Sequence, residues 1–201
     1  GARWNDHSIY GSQWTYHFNP SLLFDFNDFD LQLFARGSTA FIAPSLFKLF
    51  DIYSGNEELL PETNTTLEFG TDLTFANNTQ IGLVYFNRNE ENFVEYDNTV
   101  FRYKNAGQDF RVHGVEFSLN TPVVDNLEIN ANYTFTELRD KAAVRIPKHK
   151  ANMTVVYKVL NGVQLSTSYQ YTGTRADLVS GNKVSLNPYR LWDFTSRYLI
   201  P

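Results

Sequence analysis

Hydrophobic and polar residues alternate along several segments of the chain, each roughly ten to fourteen residues long. Between residues 127 and 138, for example, Leu127 and Ile129 alternate with Glu128 and Asn130. Successive side chains of a β-strand point to opposite faces of the sheet, so this pattern indicates strands with one apolar and one polar face. We therefore expect an all-β protein of antiparallel strands.

The alternating segments predict about nine strands. They are expected at residues 12–26, 30–41, 64–76, 79–89, 110–120, 127–138, 150–160, 163–174 and 189–199. Residues 93–96 and 100–104 are expected to extend one hairpin. One helical turn is expected within residues 43–50, because Pro44 suits a first helical position and Leu46, Leu49 and Phe50 have helical spacing.

Short turns and long polar connections alternate between these strands. The short turns are at 27–29, 77–78, 121–126 and 161–162, and the long connections are at 42–63, 88–108, 137–149 and 174–188. In an up-and-down sheet this alternation places every long connection at one end. A soluble sandwich does not require that arrangement, whereas an outer-membrane β-barrel has short periplasmic turns and long extracellular loops.

The polar faces of the strands indicate a wide aqueous lumen. Glu68 and Asp72 oppose Leu67 and Phe69 on one strand, whereas small closed barrels fill their interior with apolar side chains. We expect the apolar faces to contact lipid. Bacterial barrels close with even strand numbers and lipid does not tolerate open sheet edges. The chain is therefore predicted to be an arc of a larger transmembrane barrel.

The amino-acid composition supports a membrane barrel and excludes several other classes of protein and site. The chain has 17 Phe, 12 Tyr and 3 Trp, which suits the aromatic girdles of membrane barrels. No run of about 18 apolar residues could form a transmembrane helix. The formal net charge of −5 argues against a nucleic-acid partner. The absence of Cys excludes disulfides, zinc–thiolate sites and cysteine catalysis.

The two ends of the sequence lack features that a complete outer-membrane protein needs. The first residues, Gly1 to Asp6, have no apolar signal-peptide core. The last residues, Tyr198 to Pro201, end on proline rather than on a strand with a terminal aromatic residue. We therefore expect residues 1–201 to be an internal part of a longer barrel.

Several segments resemble the C-terminal barrel of TonB-dependent outer-membrane receptors. They are FIAPSLFKLF at 41–50, GNEELLPET at 55–63, YKNAG at 103–107, VHGVE at 112–116, RIPKHK at 145–150, YQYTGTR at 169–175 and LWDF at 191–194. Together they cover most of the chain in the order that the family shows. The resemblance implies an arc of a barrel of about 22 strands around an N-terminal plug.

The resemblance also implies localisation in the outer membrane of a Gram-negative bacterium and three partners. These are outer-membrane lipid, a small-molecule ligand and TonB, which acts through a plug domain that this chain does not contain. The ligand enters from outside, between plug and loops, and TonB couples uptake to the inner-membrane proton gradient. The family implies no cofactor and no catalytic residue.

Within the family, the vitamin B12 (cobalamin) receptors are the nearest likeness. The carrying segments are NFVEYDNTVFRY at 92–103, YQYTGTR at 169–175 and residues 185–193. Arg145 falls where those receptors carry an arginine that contacts substrate. Haem and siderophore receptors share much of this pattern, so a ferric chelate is the next expectation after a cobalamin-like corrinoid.

Four residues are the candidate substrate contacts. Arg145 could donate to amide or phosphate oxygens of a corrinoid, although an Arg-x-Pro-x-His segment recurs across the family whatever the substrate. Tyr96, Asp97 and Tyr103 lie near a predicted loop tip, where a bulky polar ligand would meet aromatic and polar side chains. The alternative for these three is a solvated hairpin tip.

Other polar residues do not form a recognisable site. The loop acids at 51, 57, 58 and 62 match no calcium-loop spacing, and the four His residues show no metal-binding spacing. We assign no metal. Glu68, Glu116 and Glu128 are interpreted as lumen-facing carboxylates rather than general acids or bases.

Three other functional classes compete with an energised transporter. The first is a passive pore or structural barrel, which a plug and a TonB box in the full gene would exclude. The second is an outer-membrane enzyme, which the lack of a Ser/His/Asp constellation on adjacent strands argues against. The third is a soluble β-sandwich binding module, which would pack its apolar faces against a second sheet.

Overall fold

The computed structural model describes residues 1–107, 109–139, 144–160, 162–179 and 182–199, in which the chain forms fifteen strands and one short helix. The elements are β1 (Ala2–His7), β2 (Gly11–Phe18), β3 (Ser21–Asp25), β4 (Phe29–Ile42), α1 (Leu46–Phe50), β5 (Glu62–Phe75), β6 (Gln80–Glu91), β7 (Val94–Asp97), β8 (Arg102–Asn105), β9 (Phe110–Val124), β10 (Leu127–Leu138), β11 (His149–Leu160), β12 (Val163–Thr172), β13 (Arg175–Val179), β14 (Asn182–Leu186) and β15 (Tyr189–Tyr198).

One antiparallel sheet forms a curved wall with the strand order β1-β2-β4-β5-β6-β9-β10-β11-β12-β15. β3 follows β2 and also pairs with β4. The break between β2 and β3 falls at Asn19 and Pro20, because proline has no N–H for the ladder. All nine predicted wall strands are present, and β1 adds a short strand at one edge. The prediction of an antiparallel barrel arc is confirmed.

The two faces of the wall differ along whole rows of paired residues. One row that crosses the sheet from β3 to β15 is entirely apolar or aromatic: Phe24, Leu31, Leu73, Ile81, Leu119, Ala131, Met153, Tyr169 and Trp192. The next row is entirely polar and lies on the opposite face: Asp25, Asp30, Thr74, Gln80, Asn120, Asn130, Thr154, Ser168 and Asp193. The wall therefore has an apolar face and a polar face.

The apolar face is open rather than packed against a second layer. Phe69 is 57% exposed and Phe194 is 79% exposed. No large side chain among the described residues is completely buried. A β-sandwich would bury these side chains between two sheets, so the soluble-sandwich alternative does not fit the structure.

Two glycines on the polar face let aromatic rings lie flat on the neighbouring strand. Gly70 pairs with Phe34, and Gly114 pairs with Phe86. A Cβ atom on Gly114 would lie 2.6 Å from Phe86 Cζ and would also overlap the carbonyl oxygen of Phe135. These rings cover backbone that glycine leaves bare, which helps to fix the strand register.

The helix prediction was correct in place but wrong in detail. α1 starts after Ser45, whose hydroxyl accepts a hydrogen bond from the Lys48 N–H at 3.3 Å. Ser45 is therefore the N-cap, and Pro44 precedes the cap instead of occupying the first helical position. Of the three apolar residues with helical spacing, only Leu49 is buried, because five residues are too few to build an apolar stripe.

One turn is shorter than predicted. The connection expected at 121–126 is reduced to Asp125 and Asn126, because β9 continues to Val124. The pairing register shifts where Leu127 meets Glu128, beside Pro122. A bulge accommodates proline within a paired strand. The β7–β8 pair confirms the predicted hairpin extension, and β13–β14 is a further hairpin that the sequence pattern did not predict.

Replacing Gly114 with alanine is expected to destabilise the protein by about 1–3 kcal/mol, because the methyl group must displace Phe86 or the strand backbone. Gly37→Ala is the matched control, since a Cβ there lies 3.5 Å from Leu67 Cδ2, an ordinary contact. Denaturant unfolding in detergent micelles, followed by tryptophan fluorescence, measures both. Equal stability of the two variants would contradict this account.

Candidate functional site

All four long connections leave the same end of the wall. They join β4 to β5, β6 to β9, β10 to β11 and β12 to β15. Since neighbouring wall strands are antiparallel, alternate connections must share an end. The connections β3–β4, β5–β6, β9–β10 and β11–β12 occupy the other end, whereas the short β1–β2 turn lies at the loop end. The predicted separation of long loops and short turns is thus present, and candidate ligand-binding residues are sought at the loop end.

Two of these connections fold together into a loop unit, defined as residues 43–61 and 92–107. Its small apolar core consists of Leu49 and Leu59, each 2% exposed, and Val94, 6% exposed. Tyr103 packs against this core. The most completely buried side chains of the described chain therefore lie in the loop unit and not in the wall.

Asn105 ties the two halves of the loop unit together. Its side-chain oxygen accepts from the Leu60 N–H at 2.9 Å, and its amide group donates to the carbonyl oxygens of Leu60 at 3.0 Å and Asn92 at 2.6 Å. Asn56 adds a second cross-connection, because its amide donates to the Tyr103 carbonyl at 2.9 Å. Side-chain amides thus satisfy backbone groups that have no strand partner.

A tight turn from Asp51 to Gly55 follows α1 and explains why the family-like segment at 55–63 begins with glycine. The Asp51 carboxylate accepts from the Ser54 hydroxyl at 2.6 Å and from its N–H at 2.9 Å. The Ser54 hydroxyl is the main cause of the lowered pKa of Asp51. A Cβ on Gly55 would lie 2.6 Å from the Asp51 nitrogen, so the turn has no room for a side chain. Arg102 donates to the Gly55 carbonyl at 2.8 Å and holds the turn against β8.

The structure brings Tyr96, Asp97 and Tyr103 together on the β7–β8 hairpin. The rings of Tyr96 and Tyr103 meet edge to face at 5.2 Å, and Phe47 contacts Tyr103 from the other side. Asp97 forms an ion pair with Lys104 at 2.8 Å. Tyr96 is 40% exposed and is available to a ligand, whereas Tyr103 mainly supports the loop unit.

Arg145 lies in a different loop cluster from the hairpin residues. Its backbone N–H donates to the Ala176 carbonyl at 2.7 Å, and its guanidinium Nε pairs with Asp177 at 2.9 Å. The Arg145 side chain is 73% exposed. Its φ of 65° places it in the left-handed region. The structure therefore divides the four predicted contacts between two loop clusters.

Beside Arg145 is a pocket that the sequence analysis did not assign. It has a volume of about 490 Å³ and lies between the end of β10 and the β13–β14 hairpin. Arg175 lines it and stacks 5.2 Å over the ring of Tyr189. Arg175 is the last residue of the family-like segment YQYTGTR, and this was the signal in the sequence that pointed to it. Its stacking on Tyr189 could not be predicted, because the two residues are distant in sequence.

Two carboxylates of the polar face have local partners. Glu68 pairs with Arg36 at 3.3 Å, and Glu128 accepts from the Asn130 amide at 2.9 Å. These contacts fit the interpretation of structural carboxylates. Within residues 1–107, 109–139, 144–160, 162–179 and 182–199, no group of three His, Asp or Glu side chains could hold a metal ion.

No helix in the described part of the chain is long and apolar enough to cross a membrane.

Comparison with known proteins identifies the family. The model described as TonB dependent receptor-like, beta-barrel matches residues 1–200. The chain belongs to this family. The vitamin B12 transporter BtuB of Vibrio cholerae is 27% identical over 208 residues, which cover 98% of this chain and 33% of the transporter. An uncharacterised TonB-dependent receptor of Haemophilus influenzae is 30% identical over 155 residues, 63% of this chain and 43% of that receptor.

Two solved structures with a similar fold are also named as receptors. The siderophore receptor PirA from Acinetobacter baumannii has a TM-score of 0.78 and 14% identity over 98% of this chain and 36% of that protein. A mutant of the ferric enterobactin receptor PfeA from Pseudomonas aeruginosa has a TM-score of 0.81 and 20% identity over 100% of this chain and 34% of that protein. The chain thus spans about a third of these relatives.

Membership places the chain in a family of outer-membrane receptors and transporters of Gram-negative bacteria, not of enzymes. TonB-dependent receptors bind small ligands such as siderophores, and the two solved structures above are named a siderophore receptor and a ferric enterobactin receptor.

Substituting Asn105 with Asp is expected to loosen the loop unit, because the carboxylate keeps an acceptor for Leu60 but loses both donated hydrogen bonds. Amide hydrogen exchange in residues 54–61 should become about tenfold faster or more, the consequence of unsatisfied carbonyl groups. Asn98→Asp, at the exposed hairpin tip, is the control. Unchanged exchange in Asn105→Asp would refute the proposed tie.

The pKa of Asp97 is lowered from 3.8 to about 2, mainly by the hydrogen bond from Lys104 and next by the Thr99 N–H. Because this pKa is lowered, the ionised Asp97 carboxylate stabilises the hairpin fully at pH values above its ordinary pKa of 3.8. The stabilisation is lost as the pH falls through about 2. Carbon-13 NMR of the Asp97 carboxyl should show this midpoint. Lys104→Gln should raise it toward the ordinary value, whereas Lys150→Gln on β11 should not; identical midpoints in both variants would contradict the pairing.

Proposed function

We propose that this chain is part of an outer-membrane TonB-dependent transporter that takes up a bulky, scarce nutrient, with a cobalamin-like corrinoid as the favoured ligand. The observation that carries the proposal is the 27% identity, over 98% of the chain, to proteins named vitamin B12 transporter. The likeness extends through both loop clusters, where ligand contacts are expected.

The geometry of the wall supports the proposed location. Exposed apolar rows on one face suit contact with outer-membrane lipid, and polar rows on the other suit an aqueous lumen. Long loops at one end suit capture of a ligand from outside. In this proposal TonB acts through a plug domain carried by a part of the protein other than residues 1–201.

A ferric siderophore is the second candidate, with haem after it. Two solved structures with high TM-scores, PirA and PfeA, are named as a siderophore receptor and a ferric enterobactin receptor. Since their identities to this chain lie at 14% and 20%, they support the architecture more than the ligand. Binding measurements with both ligand classes decide between the two candidates.

A passive pore is the alternative in a different functional class. It would use the same wall without a plug or energy coupling. Uptake of the ligand by cells that express the full-length receptor, with and without TonB, separates the classes. Uptake that continues at the same rate without TonB would establish the pore and refute the proposal.

Arg145, Tyr96 and Asp97 remain the proposed substrate contacts, with Tyr103 supporting them. The exposed Arg145 guanidinium is oriented by Asp177 and can donate to amide or phosphate oxygens. Tyr96 presents an aromatic edge near the hairpin tip. A large ligand could contact both loop clusters at once.

Arg145→Ala in the full-length receptor is expected to weaken cyanocobalamin binding by about tenfold, the loss of a charge-assisted hydrogen bond. Isothermal titration calorimetry in detergent measures the affinity. Arg197→Ala, on the polar face at the turn end of the wall, is the control and should bind normally. Unchanged affinity in Arg145→Ala would remove this residue from the substrate contacts.

A further inference from the structure

The pocket beside Arg145 opens on the lumen side of the wall. Thr136 pairs with Gly114 and so lies on the face that carries the Phe86 and Phe34 rings, the polar face. Leu138 continues this face on β10. The pocket is closed on the other side by the β13–β14 hairpin, including Ser185. It is therefore placed where a ligand entering between the loops would reach it.

Arg175 is held in this pocket without an acceptor for one of its donors. Its Nη1 is enclosed and has no hydrogen-bond partner. Within the described residues, no carboxylate forms an ion pair with its guanidinium. The contact that orients it is the Tyr189 ring at 5.2 Å, and a ring face offers no lone pair. Leaving donors of a cation unsatisfied is costly unless a ligand supplies acceptors.

The acids near the pocket already have other hydrogen-bond or ion-pair partners, although Asp177 also interacts with Arg175 electrostatically. Glu137 lines the edge of the pocket and contacts Lys148 at 3.6 Å and His113 at 3.5 Å. Asp177 accepts from Arg145 Nε and from the Leu178 N–H, both at 2.9 Å. Lys183 lines the pocket in addition to Arg175.

We propose that this pocket binds an oxyanion of the transported ligand, with the Arg175 guanidinium as the principal donor. The phosphodiester of a corrinoid and the catecholate or carboxylate oxygens of a ferric chelate share this chemistry. Guanidinium donates to such groups through paired N–H bonds. The Thr136 and Ser185 hydroxyls beside it are further donors. The identity of the ligand rests on the proposed function, whereas the preference of the pocket for an anion does not.

The chain offers a matched control in Arg190. Its guanidinium stacks 5.6 Å over Tyr171, an arrangement like that of Arg175 over Tyr189. Arg190 and Tyr171 are paired on the apolar face, outside the pocket. Arg190→Gln therefore removes the same charge and the same type of stacking from the opposite face of the wall without changing the pocket.

The test uses the full-length receptor in detergent, as wild type, Arg175→Gln, Arg175→Lys and Arg190→Gln. Calorimetry measures binding of cyanocobalamin, of cobinamide, which lacks the phosphodiester, and of ferric enterobactin. Thermal unfolding with and without pyrophosphate reports the anion site independently of the large ligands. Circular dichroism confirms that each variant is folded.

We expect Arg175→Gln to weaken the oxyanion-bearing ligand by about tenfold or more, Arg175→Lys to weaken it less, and Arg190→Gln to bind normally. Loss restricted to cyanocobalamin, with cobinamide unaffected, identifies the phosphodiester, whereas loss of ferric enterobactin identifies the chelate. Equal binding by wild type and Arg175→Gln would overturn the pocket assignment but leave the proposed function intact.

If wild type binds none of the large ligands, the proposed function fails. Pyrophosphate stabilisation that depends on Arg175 would then still support the anion site, and its absence would overturn both.

Discussion

The structure depends on one constraint: a single sheet must present apolar side chains on one face and polar side chains on the other while its backbone groups pair between strands. Lipid offers no hydrogen bonds, so a membrane wall must satisfy its N–H and C=O groups internally. The continuous order from β1 to β15 does this across the arc. The row from Phe24 to Trp192, beside the polar row from Asp25 to Asp193, shows that one register maintains both requirements.

The loop end follows a different rule. There the chain leaves the ladder, and the loop unit replaces it with a small apolar core and side-chain amides that bond the backbone. Asn105 and Asn56 connect segments more than forty residues apart, while Leu49 and Leu59 exclude water between them. A rigid support of this kind can hold Tyr96 and Asp97 in fixed positions at the mouth of the wall. Binding residues held in this way lose less entropy when a ligand arrives.

The second loop cluster is electrostatic rather than apolar. Arg145 is paired with Asp177, and this pairing joins the connection after β10 to the β13–β14 hairpin. Arg175, by contrast, is stacked on a ring, and its Nη1 has no hydrogen-bond partner, although Asp177 interacts with it electrostatically. The Arg145 guanidinium, held in an ion pair, connects two loops, whereas the Arg175 guanidinium retains an unsatisfied donor that a ligand oxygen can accept from. The two arginines therefore have different roles, although they lie close together.

The residue pattern alone was enough to derive the nine wall strands, their faces and the end at which the long loops gather, because strand periodicity and turn chemistry are local properties. It also contained the family-like segments. Local properties could not show that Pro44 precedes the helix cap, that β9 continues through Pro122, or that β13 and β14 pair. Nor could they separate Arg145 from Tyr96 or bring Arg175 onto Tyr189. Those relations depend on which loops meet above the wall, and only the folded chain decides that, since the contacts join residues far apart in sequence.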